Sequence, residues 1–122
     1  MKPTREQVLT ETDNEKISRW VYEYIFKWTF NYDLSYWVDE QGYTHDDRGM
    51  PSDYIADAWE VVEKHDRKEW DIQIASDTQD EGKEWGVSFY RYSKTESLEY
   101  GCATAETLPL AICRASLLAF FE

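Results

Sequence analysis

The segment from Leu108 to Phe121 constrains the fold more than any other part of this chain. Between Thr107 and Phe121 it carries one charged side chain, Arg114. Pro109 suits the first turn of a helix, where its missing N–H costs nothing. At about 3.6 residues per turn, Leu108, Ala111, Ile112, Ala115, Leu118 and Ala119 share one apolar face. Leu110, Leu117, Phe120 and Phe121 form a second, roughly opposite. A helix that is apolar around most of its circumference must be covered on more than one side. The second face therefore meets either another subunit, through Leu110, Leu117, Phe120 and Phe121, or the strands and N-terminal helix of the same chain. Arg114 poses the related question of its own partner. An unpaired guanidinium in such a helix is costly, so it meets either a carboxylate or an anionic ligand that fits its planar fork.

The rest of the chain must supply that cover. With 122 residues it is the size of one domain, and six Trp and nine Tyr argue against disorder despite the charge. Thr4 followed by Gln7 is a capping box for a short helix over Arg5 to Leu9. Ile17, Trp20, Val21, Tyr24, Ile25 and Trp28 then trace an amphipathic helix that Thr12 or Asp13 can cap. Tyr32, Leu34 and Tyr36 alternate as a half-buried strand does, Gly42 marks a turn or short return strand, and Thr44 to Gly49 reads as a loop. Pro51 and Ser52 open a second helical stripe of Ile55, Ala58, Trp59 and Val62, running to about Arg67. Three strands follow: one through Trp70, Ile72 and Ile74, one through Trp85, Val87 and Phe89, and one over Leu98 to Ala103. The expected architecture is a single α+β domain over residues 1–122, an antiparallel meander packed by helices as an α/β/α-like sandwich.

Charge narrows the functional classes. With 25 Asp and Glu against 13 Lys and Arg, the net charge is −12, a field that repels nucleic-acid duplexes and anionic membranes. It leaves room for one phosphate ligand in a pocket where a few cations and a helix N-terminus dominate locally. The N-terminus shows no apolar secretory core and no run reaches transmembrane length. His45-Asp46-Asp47 and His65-Asp66 make a poor zinc set, and Cys102 and Cys113 belong to no Cys-x-x-Cys pair and read as reduced structural thiols. Neither GxGxxG nor GxxxxGK[ST] occurs. No cofactor is expected, and an enzyme is the weaker class. Trp85, Phe89 and Tyr90 beside Arg91 could stack a base, although alternating strand aromatics are more often core.

The segments so assembled resemble the phage ABA sandwich family of small phage proteins. Pro51 to Lys64 is similar to that family's P-S-x-D-I-A-x-A-W-E-V-V-E-K stretch. Thr107 to Ala119 is similar to T-x-P-L-A-I-C-R-A-x-L-x-A, and Trp85-Gly86-Val87-Ser88-Phe89 stands where the family has W-x-V-x-F. The start, Thr4 to Leu9 and the helix ending at Trp28, fits in order as well. One similar branch is the Thoeris anti-defence sponges, which hold cyclic ADP-ribose isomers, and in some cases cyclic oligonucleotides, between subunits of dimers or larger oligomers without cleaving them. The resemblance implies that Arg114 contacts ligand phosphate and that Phe89 or Trp85 stacks on adenine. Thr104 and Thr107 would then lie near the N-terminus of the last helix, with Arg91 and Arg67 as further cations.

The resulting expectation is a homo-oligomeric sponge for cyclic ADP-ribose-type signals in the cytoplasm of the infected host. The alternatives are an acidic protein–protein inhibitor or DNA mimic, and a phage assembly module that uses only its oligomer interface.

Overall fold

Thr4 and Gln7 close the capping box on each other. Thr4 Oγ1 accepts from Gln7 N at 3.1 Å, and Gln7 Oε1 accepts from Thr4 N at 2.8 Å, satisfying two donors at a helix start. They open α1 (Arg5–Thr10), and Asp13 caps α2 (Asn14–Trp20) through Glu15 N. A computed structural model of the chain describes residues 2–33, 36–46, 55–64, 70–77, 84–92 and 97–121. Leu34, the Pro51–Ser52 helix start, His65, Arg67 and the turns before residues 84 and 97 lie outside it.

The second helix departs from the expected stripe. From Val21 to Ile25 it widens into a π turn, with Phe26 N–H donating to Val21 O at 3.1 Å and Trp28 N–H to Tyr22 O at 2.9 Å. The latter bond reaches one residue further back than the usual Schellman closure. Because a wider turn holds more residues, the buried positions run in steps of four: Ile17, Val21 and Ile25, beside Ser18, Tyr22 and Phe26. Tyr24 and Trp28, expected on the apolar stripe, are only half-buried. The turn ends on Lys27, whose φ of 64° is left-handed.

Next comes a small antiparallel sheet of β1 (Thr29–Asn31), β2 (Tyr36–Val38) and β3 (Thr44–Asp46) in the order β1-β2-β3. The stretch read as a loop from Thr44 thus begins as a strand. Asp39 explains it. Its Oδ1 accepts from Gln41 N and Tyr43 N, each at 2.9 Å, Asp39 N donates to Tyr43 O, and Gly42 at φ +90° completes the reversal. The chain is thereby sent back along β2, with Trp37 opposite His45.

After α3 (Ile55–Glu63) come β4 (Trp70–Asp77), β5 (Glu84–Tyr92) and β6 (Ser97–Ala105), an antiparallel meander with β5 in the centre. A bulge shifts the β5–β6 register between Phe89 and Tyr90. The final helix, α4 (Leu108–Phe121), packs on β5 and β6 with one side and meets α3, α1, α2 and the π turn with others. Ala111 to Cys113 and Ala115 to Ala119 are all buried within this single chain.

Leu117, expected at a subunit interface, is fully buried. The cover for the second face comes largely from the chain's own helices, since stacking them there buries the surface without a partner. Small residues set how close α4 comes to the sheet. Gly101, Ala103 and Ala105 of β6 are buried against it, and Gly101 has Ala119 N and Cβ at 2.7 and 3.0 Å from where a Cβ would stand. On the opposite face of the meander, Cys102 and Thr104 are exposed and Ser88 and Tyr90 half-buried. The chain is an α+β fold consistent with a sandwich. No helix among the described residues is long and apolar enough to cross a membrane.

Candidate functional site

Arg114 projects from the first half of α4 into the gap between the end of β6 and the α1–α2 corner. Its Nη1 donates to Thr104 O at 3.1 Å and its Nη2 to Glu11 O at 2.8 Å. One planar fork thus clamps the end of β6 to a corner that lies 103 residues before Arg114 in the chain. The carboxylate partner expected as one option is replaced by main-chain carbonyls. The corner presents its backbone to the guanidinium, and such acceptors carry no full charge. Nε is buried and has no acceptor among the described residues. Burial pushes Arg114 down from its ordinary pKa, while Glu106 and Glu84 pull the other way. It stays a cation, because arginine does not deprotonate in proteins.

Arg114 lies in the wall of a cleft of about 650 Å³, with Leu9 and Leu110 as apolar lining and Thr12, Asn14, Thr104 and Thr107 as polar lining. Glu84 and Glu106 also line it. The start of α4 contributes to the wall, although Pro109 removes one of its free N–H groups.

Of the residues singled out for ligand contact, Arg114, Thr104 and Thr107 therefore converge. Phe89 does not join them. It is 1% exposed and packs in the core beneath α4, so neither face of its ring is open to a base. Its position on the inward face of the central strand dictates this. Trp85 is half-buried against the core and is not part of the cleft wall. Arg91 lies six residues further along β5, roughly 20 Å at a rise of ~3.3 Å per residue, with its guanidinium 5.8 Å from the Trp70 ring. Arg67 is outside the described residues.

Among the interface residues, Leu110 lines the cleft and Leu117 is interior. Phe121 meets Tyr24 edge-on at 5.4 Å, and Phe120 remains 38% exposed.

A second cluster went unrecognised in the sequence. Trp28 is stacked on Tyr22 at 4.8 Å and 6° and on His45 at 4.0 Å and 11°. Phe26, Phe30 and Trp37 pack around these rings. His45, read as a surface loop residue, places Nε2 at 2.9 Å from Asp39 Oδ2. This bond, ahead of those from Tyr43 and Gln41, lowers the Asp39 pKa against a smaller effect of burial. The available signal was the aromatic density from Trp28 to Tyr43, which alternation alone assigns to a strand face.

The model of one family, the phage ABA sandwich domain, matches residues 15–117. The chain belongs to the phage ABA sandwich domain family. The matched range takes in the π turn, both sheets and α4 as far as Leu117. Comparison with curated proteins and with solved structures returned no match.

Proposed function

We propose that this phage ABA sandwich protein is a non-catalytic sponge. In the cytoplasm of the infected cell it would hold an anionic nucleotide signal of the cyclic ADP-ribose type in the Arg114 cleft. The observation that carries the reading is Arg114 itself. It is a partly desolvated cation without a carboxylate within bonding distance among the described residues, and only two of its five N–H groups are used by main-chain carbonyls in the wall of a nucleotide-sized cleft. A phosphate would supply the missing acceptor and the missing charge in one group. Function by sequestration needs no reaction, only tight reversible binding by a protein in excess over its signal.

With Phe89 interior, the base would rest on Leu9 and Leu110 and be read by Thr12 and Asn14.

Titration calorimetry with glycocyclic ADP-ribose tests the proposal. Binding at micromolar ligand is the expected result, and its absence would sink the idea. Arg114→Ala is an ambiguous probe because it also releases the clamp on Thr104 and Glu11. Glu106→Gln is cleaner, since Glu106 is exposed and removes negative charge from the rim when neutralised. Ligand affinity should rise about threefold at low salt for a charge at this kind of separation. Unchanged or weaker binding in that variant would place the ligand elsewhere.

A further inference from the structure

In a chain of net charge −12, cations and aromatic surface are concentrated together at one place away from Arg114. A cleft of about 380 Å³ lies between the end of the π turn and the small sheet, walled by Trp28, Phe30, Tyr32 and Trp37 with Arg19 and Lys27. Glu23 is the one carboxylate of that wall, against the two cations Arg19 and Lys27, of which Lys27 is the one not paired with a carboxylate among the described residues. No residue of it lines the Arg114 cleft.

We propose that this cleft is a binding site for a small planar aromatic anion of the nucleoside monophosphate class. Its ring would lie against Tyr32 and Phe30, with its phosphate between Lys27 and Arg19.

Three observations support it. Tyr32 is 78% exposed and meets Phe30 edge-on at 4.9 Å, so a broad aromatic surface is presented to solvent beside the cavity. Rings of this kind stack bases with little regard to identity.

The second observation is Lys27. It ends the π turn at φ 64°, a position where glycine costs least. Lysine there puts a cationic side chain at the cleft wall at the expense of backbone strain, and outliers of this type gather at binding sites. Among the described residues no carboxylate pairs with it, and its ammonium stands 5.9 Å from the centroid of Phe120, beside the cleft wall.

The third is continuity. Lys27 and Trp28 also line an adjoining cleft of about 410 Å³ whose wall includes Lys64 and His45. Asp39 and Glu40 line it too and offset the Lys64 ammonium, so what the adjoining cleft adds beside Lys27 is room for a ligand. Arg19 is fixed from the other side, its guanidinium 4.9 Å from the centroid of Phe30 and 3.3 Å from Glu15.

The inference does not rest on the Arg114 site, and the test keeps the two apart. Adenosine monophosphate serves as the probe, with adenosine and inorganic phosphate as separate arms. Binding is followed through the indole N–H signals of the whole protein, with Trp28 and Trp37 assigned by single Trp→Phe variants. Saturable movement of these two signals at submillimolar adenosine monophosphate is expected, with adenosine and phosphate alone each weaker by about tenfold or more.

Tyr32→Ala and Lys27→Gly should each weaken the probe about tenfold. Lys27→Gly should leave the fold at least as stable, because glycine suits the left-handed position. Three results overturn the proposal: no movement at about 5 mM probe, adenosine or phosphate binding as tightly as the nucleotide, or movement abolished by Arg114→Lys and kept in Tyr32→Ala.

Discussion

Gly101→Ala tests whether the close seat of α4 on β6 holds the fold together. An ideal Cβ at Gly101 would run into Ala115 O, and would stand 2.7 Å from Ala119 N and 3.0 Å from Ala119 Cβ. Two of these three atoms are helix backbone and cannot swing aside as a side-chain tip would. The helix must therefore lift or slide, uncovering part of a core that includes Val87, Phe89, Ile112 and Ala115. Overpacking costs about 1–3 kcal/mol where neighbours can adjust, so a value near 3 kcal/mol or above is expected here. For a domain of this length that is a fall in Tm of roughly 10–15 °C.

The control lies on the neighbouring strand. Gly86 would place a Cβ 3.9 Å from Ala75 O and 4.0 Å from a Thr104 methyl, ordinary contact distances. Gly86→Ala should thus be neutral or raise stability by about 0.4–1 kcal/mol through the unfolded chain alone. Adding Ala119→Gly to Gly101→Ala removes only the methyl contact and costs about 1 kcal/mol of helix propensity, so it should not rescue. Thermal and urea unfolding by circular dichroism give all four values. A Gly101→Ala variant melting within ~2 °C of the parent, or moving with Gly86→Ala, would refute the close-approach argument.

Leu117→Ala should cost about 2–5 kcal/mol in urea unfolding, the range for a truncated core leucine. Phe120→Ala should cost under about 1 kcal/mol because its ring is partly exposed. The reverse order would return Leu117 to a subunit surface. Asp39 makes a pH prediction: its carboxyl lies below the ordinary carboxylate range in the folded chain, so its contribution is present above that range and is lost as pH falls through the lower native value. The Gln41 and Tyr43 amide signals should therefore titrate together with a midpoint below that of an unperturbed aspartate, and a midpoint at or above it would contradict the Asp39 turn.

The helix over Leu108 to Phe121 and the three strands of the meander were legible because their periodicity is strong and long. What covers α4 was not, since a pattern of apolar residues says that a face is buried without saying by what. The π turn was illegible for a related reason. A stripe drawn at 3.6 residues per turn assigns Tyr24 and Trp28 inward, whereas the wider turn exchanges them for Tyr22 and Phe26. The β2–β3 hairpin depends on one side chain, Asp39, gathering two amides, and no periodicity encodes that. Phe89 illustrates the limit at the functional level. Its alternation with Ser88 and Tyr90 fixes that it faces one side of the sheet, but only the position of α4 shows that this side is closed.

The acidic surplus gives the unpaired cations their meaning. With 25 carboxylates to 13 Lys and Arg, a cation left to chance would readily find a carboxylate, as Lys16 does with Glu11 at 3.4 Å and Arg19 with Glu15 at 3.3 Å. Arg114, Lys27 and Lys64 have none within that reach among the described residues. Arg114 bonds main-chain oxygens, and the two ammonium groups stand over Phe120 and Phe26. A carbonyl or a ring face stabilises a cation without cancelling its charge, so these three side chains keep their full charge inside a negative envelope. That envelope slows the approach of any anion, and salt screens it over about 8–10 Å. Raising ionic strength should hence weaken the short-range contacts at Lys27 and Arg114 while removing long-range repulsion. Anion affinity at either cleft should fall with salt far less steeply than in a basic binding protein.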